Sequence, residues 1–283
     1  QVVYIGANDG MIHAFNGGFF EEINDAGEVK FGFTEDGPDG AASHPLGSEL
    51  WAYVPRALLP HLKWLARNDY SHVYYMDLKP RLFDARIFPD DTDHPDGWGT
   101  VLVVGMRFGG GNDTNGIIVD AQSDGRGSSN TDGDDDDDVQ TKSAYVIMDV
   151  TNPEKPPKLI AEVSPPGLNL TTSFPAVAAF GTPTEPGTAP STNEWYLIFG
   201  NGPESVGDAV SSTNARLYAY DLEDLVNGGD GLVTAGFFDP TGDPVGAGFD
   251  LGEPESFVSD PVVRDDDLDM RAEVLYFGTV GDL

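Results

Sequence analysis

The sequence predicts an all-β fold, a β-propeller with long loop insertions and one short helix, and three observations carry that prediction. Four segments share one pattern, an apolar strand closed by Gly and followed by a polar loop. They are Val2-Val3-Tyr4-Ile5-Gly6, Val101-Leu102-Val103-Val104-Gly105, Trp195-Tyr196-Leu197-Ile198-Phe199-Gly200 and Val274-Leu275-Tyr276-Phe277-Gly278. These strands are apolar almost throughout, as expected where both faces of a sheet are covered. Gly and Pro, at 35 and 21 residues, fall between the short apolar runs and punctuate them as turns.

The repeat extends on both sides of each glycine-ended strand. After the first three, a second apolar strand ends near Asp or Asn: Met11 to Asn16, Ala144 to Asp149, and Leu217 to Asp221. Before the last three comes Pro with apolar residues: Pro80-Arg81-Leu82-Phe83, Pro175-Ala176-Val177 and Pro261-Val262-Val263. Each unit therefore reads as three consecutive antiparallel strands with room for a fourth, the signature of propeller blades. Two polar insertions interrupt the series, at about 17–47 and 112–142. The first is expected to hold its own hairpin, Phe19 to Ile23 with Val29 to Phe33; the second, rich in Asp, Gly, Ser and Asn, reads as a loop. A helix is expected over Arg56 to Arg67, where Leu58, Leu59, Leu62 and Leu65 form an apolar stripe and Pro60 is tolerable only near the start.

A chain of 283 residues suits a single large β-domain, so 1–283 is read as one propeller. It opens on a strand at Val2 and stops just after another, so it is expected to be a piece of a longer protein. Acidic residues number 48 against 15 basic ones, a formal net charge of -33. Such a surface repels phosphates and anionic lipid, which argues against nucleic acid as a partner, and attracts divalent cations instead. Adaptation to a saline medium accounts for the same acidity, and the two explanations are compatible. There is no Cys, so thiol chemistry is excluded, and no apolar run is long enough for membrane insertion.

Enzyme signatures are thin. The five His (13, 44, 61, 72 and 94) form no zinc-binding pair, and neither a nucleophile elbow nor a P-loop is present. Gly109-Gly110-Gly111 and Gly200-Asn201-Gly202 follow strands and lead into strands, whereas a phosphate cradle needs a helix N-terminus; they read as tight turns. One constellation stands apart. Asp265, Asp267, Asp269 and Glu273 occupy positions 1, 3, 5 and 9 of a loop between two strands, and Arg271 at position 7 offers a backbone carbonyl. Alternate carboxylates on a tight loop converge on one point, which is how Ca2+ collects its hard oxygen ligands. Met270 stands where an EF-hand loop has Gly, and the equivalent loop at 179–193 is Pro/Thr-rich with Glu185 as its one acid. The acidic tract Asp132-Gly133-Asp134 to Asp138 lacks flanking strand anchors and reads as solvated.

Gly6-Ala7-Asn8-Asp9-Gly10-Met11-Ile12-His13-Ala14-Phe15, followed by Glu49-Leu50-Trp51-Ala52-Tyr53-Val54-Pro55, closely resembles the start of the C-terminal propeller in the PilC/PilY family. These are type IV pilus biogenesis factors and tip-associated adhesins. The resemblance continues through His72-Val73-Tyr74-Tyr75-Met76-Asp77, Asp149-Val150-Thr151-Asn152-Pro153, Gly200-Asn201-Gly202 and Tyr276-Phe277-Gly278, and so spans almost the whole chain. It implies a calcium loop before the Tyr-x-Gly strand, mapping onto Asp265, Asp267, Asp269 and Glu273, with Glu273 standing where the family pattern has Asp. It further implies control of pilus extension and retraction by calcium, surface adhesion and twitching motility. The implied partners are minor pilins at the pilus tip and an unidentified surface ligand, and the implied location is the cell surface at the pilus tip, associated with the outer membrane.

Two other readings stay open. Quinoprotein dehydrogenases share these blades and the strand-Gly-x-x-Asp-Gly repeat, but commonly carry adjacent cysteines, and this chain has none and only four Trp without a blade period. A structural surface propeller without calcium control is the other.

Overall fold

The computed structural model describes residues 1–25, 28–34, 44–112, 114–119, 139–180, 194–207, 211–233, 248–266 and 271–281. Strands β1 (Val2–Gly6) and β2 (Ile12–Asn16) pair antiparallel from Val2↔Asn16 to Gly6↔Ile12. The first insertion forms the expected hairpin, β3 (Phe19–Asp25) with β4 (Glu28–Thr34), before β5 (Glu49–Tyr53) returns to the far side of β2. The second sheet holds β6 (Arg81–Arg86) and β7 (Trp98–Gly105); a short hairpin, β8 (Ile117–Val119) with β9 (Val139–Thr141), roots the second insertion. Then β10 (Tyr145–Asp149) and β11 (Lys158–Val163) complete the order β11-β10-β7-β6. The third sheet repeats it with β12 (Ala176–Phe180), β13 (Glu194–Gly200), β14 (Arg216–Asp221) and, after helix α1 (Leu222–Val226), β15 (Phe249–Asp250). Strand β16 (Ser256–Val258) leads to β17 (Val262–Arg264) and β18 (Val274–Tyr276), which pair, while β16 pairs with the last strand, β19 (Thr279–Gly281). The strand-Gly repeat thus marks the successive sheets at the expected places, and the fourth strand is present as β11 and β15.

The continuous apolarity of the central strands follows from face-to-face stacking of these sheets. Val101 and Val103 of β7, with Tyr145 and Ile147 of β10, share a core with Trp195, Leu197, Phe199, Tyr218 and Tyr220 of the next sheet. The alternate residues Leu102, Val104, Val146 and Met148 point the other way, into a core with Ile12, Tyr4, Trp51 and Tyr53 of the first sheet. The third sheet repeats the division, with Tyr196, Ile198, Leu217 and Ala219 packing towards Val258, Val263 and Leu275. Successive side chains leave a strand on opposite faces, so a strand flanked by two cores must be apolar at every position.

The closing glycines have a steric cause. The connector that leads to each new sheet crosses the end of the preceding glycine-ended strand: the Met76 amide donates to the Ala7 carbonyl at 3.3 Å, and the Val258 amide to the Asn201 carbonyl at 3.2 Å. A Cβ on Gly6 would lie 2.8 Å from the Met76 carbonyl oxygen. Between the second and third sheets, the Thr171 hydroxyl takes this part, accepting the Met106 and Arg107 amides at 2.9 and 2.8 Å. The turn that follows β7 places Gly110 and Gly111 at φ +80° and +81°, which only Gly adopts without strain, and no helix follows it.

The predicted helix is present but wound more tightly, as a 3-10 helix over Arg56–Ala66 with Pro60 inside. Pro60 lacks the N–H that an α-helix interior requires. Three residues per turn bury Pro55, Leu58 and His61 in line and leave Leu59 and Leu65 exposed, so the stripe expected at α-helical spacing is split.

Candidate metal centre

The proposed metal loop sits on the β17–β18 hairpin, whose ladder runs Val262↔Tyr276, Val263↔Leu275 and Arg264↔Val274. The ladder is extended by the Glu273 amide, which donates to the Arg264 carbonyl at 3.1 Å. From that anchored position the Glu273 carboxylate turns across the loop and accepts the Asp266 amide at 2.7 Å. The Asp266 side chain is engaged separately, in an ion pair with the Arg264 guanidinium. Asp265 is half-buried. On the returning limb the Arg271 side chain is buried, and the Ala272 amide donates to the Ala179 carbonyl of β12 at 2.9 Å, pinning the limb to the neighbouring sheet. Asp267 and Asp269 lie outside the described residues, as does the tract Asp132 to Asp138. Among the described residues no three His, Asp or Glu side chains converge on a metal position. The structure therefore places Asp265 and Glu273 at the two ends of one anchored loop.

A second polar cluster lies where β10 turns into β11. His94 sets Nδ1 3.0 Å from an Asp91 oxygen and Nε2 3.0 Å from the buried Asp149 carboxylate, with its ring stacked on Phe88 at 4.2 Å between centroids. Asp149 also accepts the Thr151 amide and hydroxyl at 3.0 and 2.7 Å. Thr151 in turn accepts the Thr100 amide at 2.9 Å, and Asn152 donates to Asp93 at 2.9 Å. His94, Asp91, Asp149, Thr151 and Asn152, with Lys155 ion-paired to Asp93, border a cavity of about 230 Å³. The segment Asp149-Val150-Thr151-Asn152-Pro153 thus works as a clamp on the loop before β7. Sequence reading missed the His94–Asp149 contact because the partners are 55 residues apart; the i, i+3 spacing of Asp91 and His94 was the only local signal.

The segment Gly6 to Phe15 has a comparable local logic. The Ala7 amide donates to Met11 O at 3.0 Å, the Met11 amide to Asp9 Oδ1 at 3.0 Å, and the Tyr75 amide to Asn8 Oδ1 at 3.0 Å. His13 lies between two carboxylates, Nδ1 2.6 Å from Glu49 and Nε2 3.0 Å from Asp9. Burial of the ring works against its charged form, but the Glu49 hydrogen bond and the Asp9 charge outweigh it and raise the His13 pKa.

No protein-family model matches the chain. A type IV pilus biogenesis factor PilY1 homolog of Xylella fastidiosa is 29% identical over 223 residues, covering 78% of this chain and 12% of that protein. A PilY1 homolog of the same organism is 35% identical over 109 residues, covering 38% of this chain and 5% of its own length. The chain thus spans an eighth or less of the curated relatives it matches. In three dimensions it is similar to the crystal structure of the Pseudomonas aeruginosa PilY1 C-terminal domain, with a TM-score of 0.50 and 22% identity over 98% of this chain and 36% of that one. That likeness bears out the β-propeller class, and the two sequence matches bear out the resemblance to this pilus biogenesis family.

Proposed function

We propose that this relative of the PilY1 biogenesis factors is the calcium-binding propeller of a type IV pilus tip protein, acting at the cell surface in pilus extension, retraction and adhesion. One observation carries the proposal: the similarity to a protein named as a PilY1 homolog runs through 78% of the chain. The calcium part is supported by the hairpin geometry, in which Glu273 is fixed by the ladder and directed across the loop while Arg264 holds Asp266 apart. In this reading Asp265, Asp267, Asp269 and Glu273, with the Arg271 carbonyl, supply oxygen ligands of the kind that calcium prefers over nitrogen and sulfur donors. The ion would join the two limbs of the loop, and its occupancy would set how rigidly the β17–β18 hairpin is presented to minor pilins.

Calorimetric titration with Ca2+ tests this directly. The expected result is one site in the parent chain and none in the Asp267→Ala variant. Equal binding by both would remove the loop as the site, and with it the physical basis for calcium control of retraction.

A further inference from the structure

We propose that the 3-10 helix Arg56–Ala66 is a docking ridge for a short acidic, aliphatic segment of a partner protein. Its charge is the first ground. The chain carries 48 acidic residues, yet positions 50–68 hold none, and Arg56, Lys63 and Arg67 all fall there. Arg56 and Lys63 enter no ion pair among the described residues, although carboxylates outnumber basic groups threefold in the chain. Glu162, which stands at the start of the helix, takes the Arg56 amide and not its guanidinium.

Shape is the second ground. At three residues per turn, Arg56, Leu59, Leu62 and Leu65 lie in line; Leu62 packs partly into the core beside Gly10, while Leu59 and Leu65 are 54% and 40% exposed. Beside that ridge, Lys63 and Arg67 place their cations 4.8 and 5.5 Å from the centre of the Trp64 ring, Arg67 being already paired with both Asp69 oxygens at 2.8 Å. Trp64 and Arg67 also edge a cavity of about 240 Å³. The exposed Leu59 and Leu65, with the Arg56 and Lys63 cations beside them, match a partner that alternates aliphatic and carboxylate side chains. Eleven residues of 3-10 helix rise ~20 Å, which an extended partner strand covers with about six residues.

An anionic bilayer is the competing occupant, since exposed Leu and Trp with Lys and Arg also suit a membrane surface. The narrow segment fits better. A plane laid on the ridge would also meet Asp69, whose side chain is 69% exposed at the ridge end, and would face a body of net charge -33.

The test is fluorescence anisotropy of a labelled peptide of alternating Glu and Leu, titrated with the folded protein at low salt. Saturable binding is expected, weakened about tenfold or more by molar salt as surface charges are screened. The Arg56→Glu/Lys63→Glu and Leu59→Ser/Leu65→Ser variants should each lose it. All four side chains are on the surface, so the fold should survive, and circular dichroism checks that. Charge reversal at Lys158, at the opposite end of β11 from Glu162, should leave binding unchanged. Failure of the peptide to bind, equal binding by both ridge variants, or binding of phosphatidylglycerol vesicles in place of the peptide would each overturn the proposal.

Discussion

Val258 lies directly over Gly200: a methyl group built on that glycine would overlap the Val258 Cβ and stand 2.7 Å from its Cγ1. The connector to the last strand pair passes there, held by the hydrogen bond from the Val258 amide to the Asn201 carbonyl at 3.2 Å. Glycine closes this strand because another backbone crosses it. Gly200→Ala is therefore expected to destabilise the protein by about 1–3 kcal/mol, the usual cost of overfilling a packed site. Gly207→Ala, where nothing stands within 4 Å of the added carbon, should be neutral or slightly stabilising. Adding Val258→Gly, which removes the overlapping Cβ, to Gly200→Ala should cost less than the two single changes summed. Urea denaturation of these three variants and of Val258→Gly alone measures all three outcomes, and additive effects at 200 and 258 would refute the contact.

Glu162 joins the first two sheets. It accepts the Tyr53 hydroxyl at 2.9 Å and the Arg56 and Ala57 amides at 2.7 and 3.2 Å. Glu162→Ala strands all three donors and is expected to cost about 1–3 kcal/mol. Burial, reinforced by the Glu162 hydrogen bond and charge, raises the Tyr53 pKa. Glu162→Gln should lower it while leaving it above the ordinary phenol value, because the burial remains. Alkaline ultraviolet titration, read as a difference against Tyr53→Phe, reports the shift; an unchanged Tyr53 titration would dismiss the bridge.

The contact of His13 with Asp9 and Glu49 gives stability a pH dependence of definite sign. A folded pKa raised above the unfolded value means that the folded chain holds the proton more tightly. The contribution is complete below the ordinary histidine range and is lost as pH rises through the raised value. His13→Gln should flatten that part of the stability curve. In the Asp9→Asn/Glu49→Gln variant only burial remains to act on the ring, so the His13 pKa should fall below the usual value. Proton NMR of the imidazole decides the matter; a His13 pKa that stays raised in the double variant would contradict the assignment.

Strand positions were legible because double burial writes itself into composition: β7 and β13 are apolar on both faces and end in Gly105 and Gly200. The hairpin β3–β4 was legible from its two apolar runs. Contacts between distant segments were not. Nothing local announces that Met76 and Val258 cross earlier strand ends, or that β16 pairs with β19 through Phe257↔Val280. Helix α1 escaped the strand pattern although its cap is in the sequence, Asp221 accepting the Glu223 and Asp224 amides at 2.9 and 3.0 Å. The stripe Leu58 to Leu65 suggested α-helical spacing, whereas Pro60 and the tight turns made the winding three-fold. Of the metal site, the spacing was legible and the hairpin beneath it is present, but ligand convergence depends on Asp267 and Asp269, which lie outside the described residues.

The hairpin also separates two neighbouring carboxylates that sequence spacing alone distinguishes only by parity. Asp266 is ion-paired to Arg264, and its amide is held by Glu273 at 2.7 Å. Asp265 and Glu273 are the members of the proposed ligand set at the loop's two ends. If calcium binds the folded chain alone, it adds RT ln(1 + [L]/Kd), ~2.7 kcal/mol at a hundredfold excess over Kd. Chelation should then lower the melting temperature of the parent chain. Asp267→Ala and Asp265→Asn should melt low already and respond little to the chelator. Asp266→Asn should keep the full response, since the loss of one exposed ion pair costs about 1 kcal/mol at most. Paired substitution of Asp134 and Asp136 should keep it as well. Thermal melts with and without chelator separate the alternatives: a response that survives Asp267→Ala but disappears with Asp134 and Asp136 would move the calcium site to the second insertion, and a response lost with Asp266→Asn would show that parity does not select the ligands.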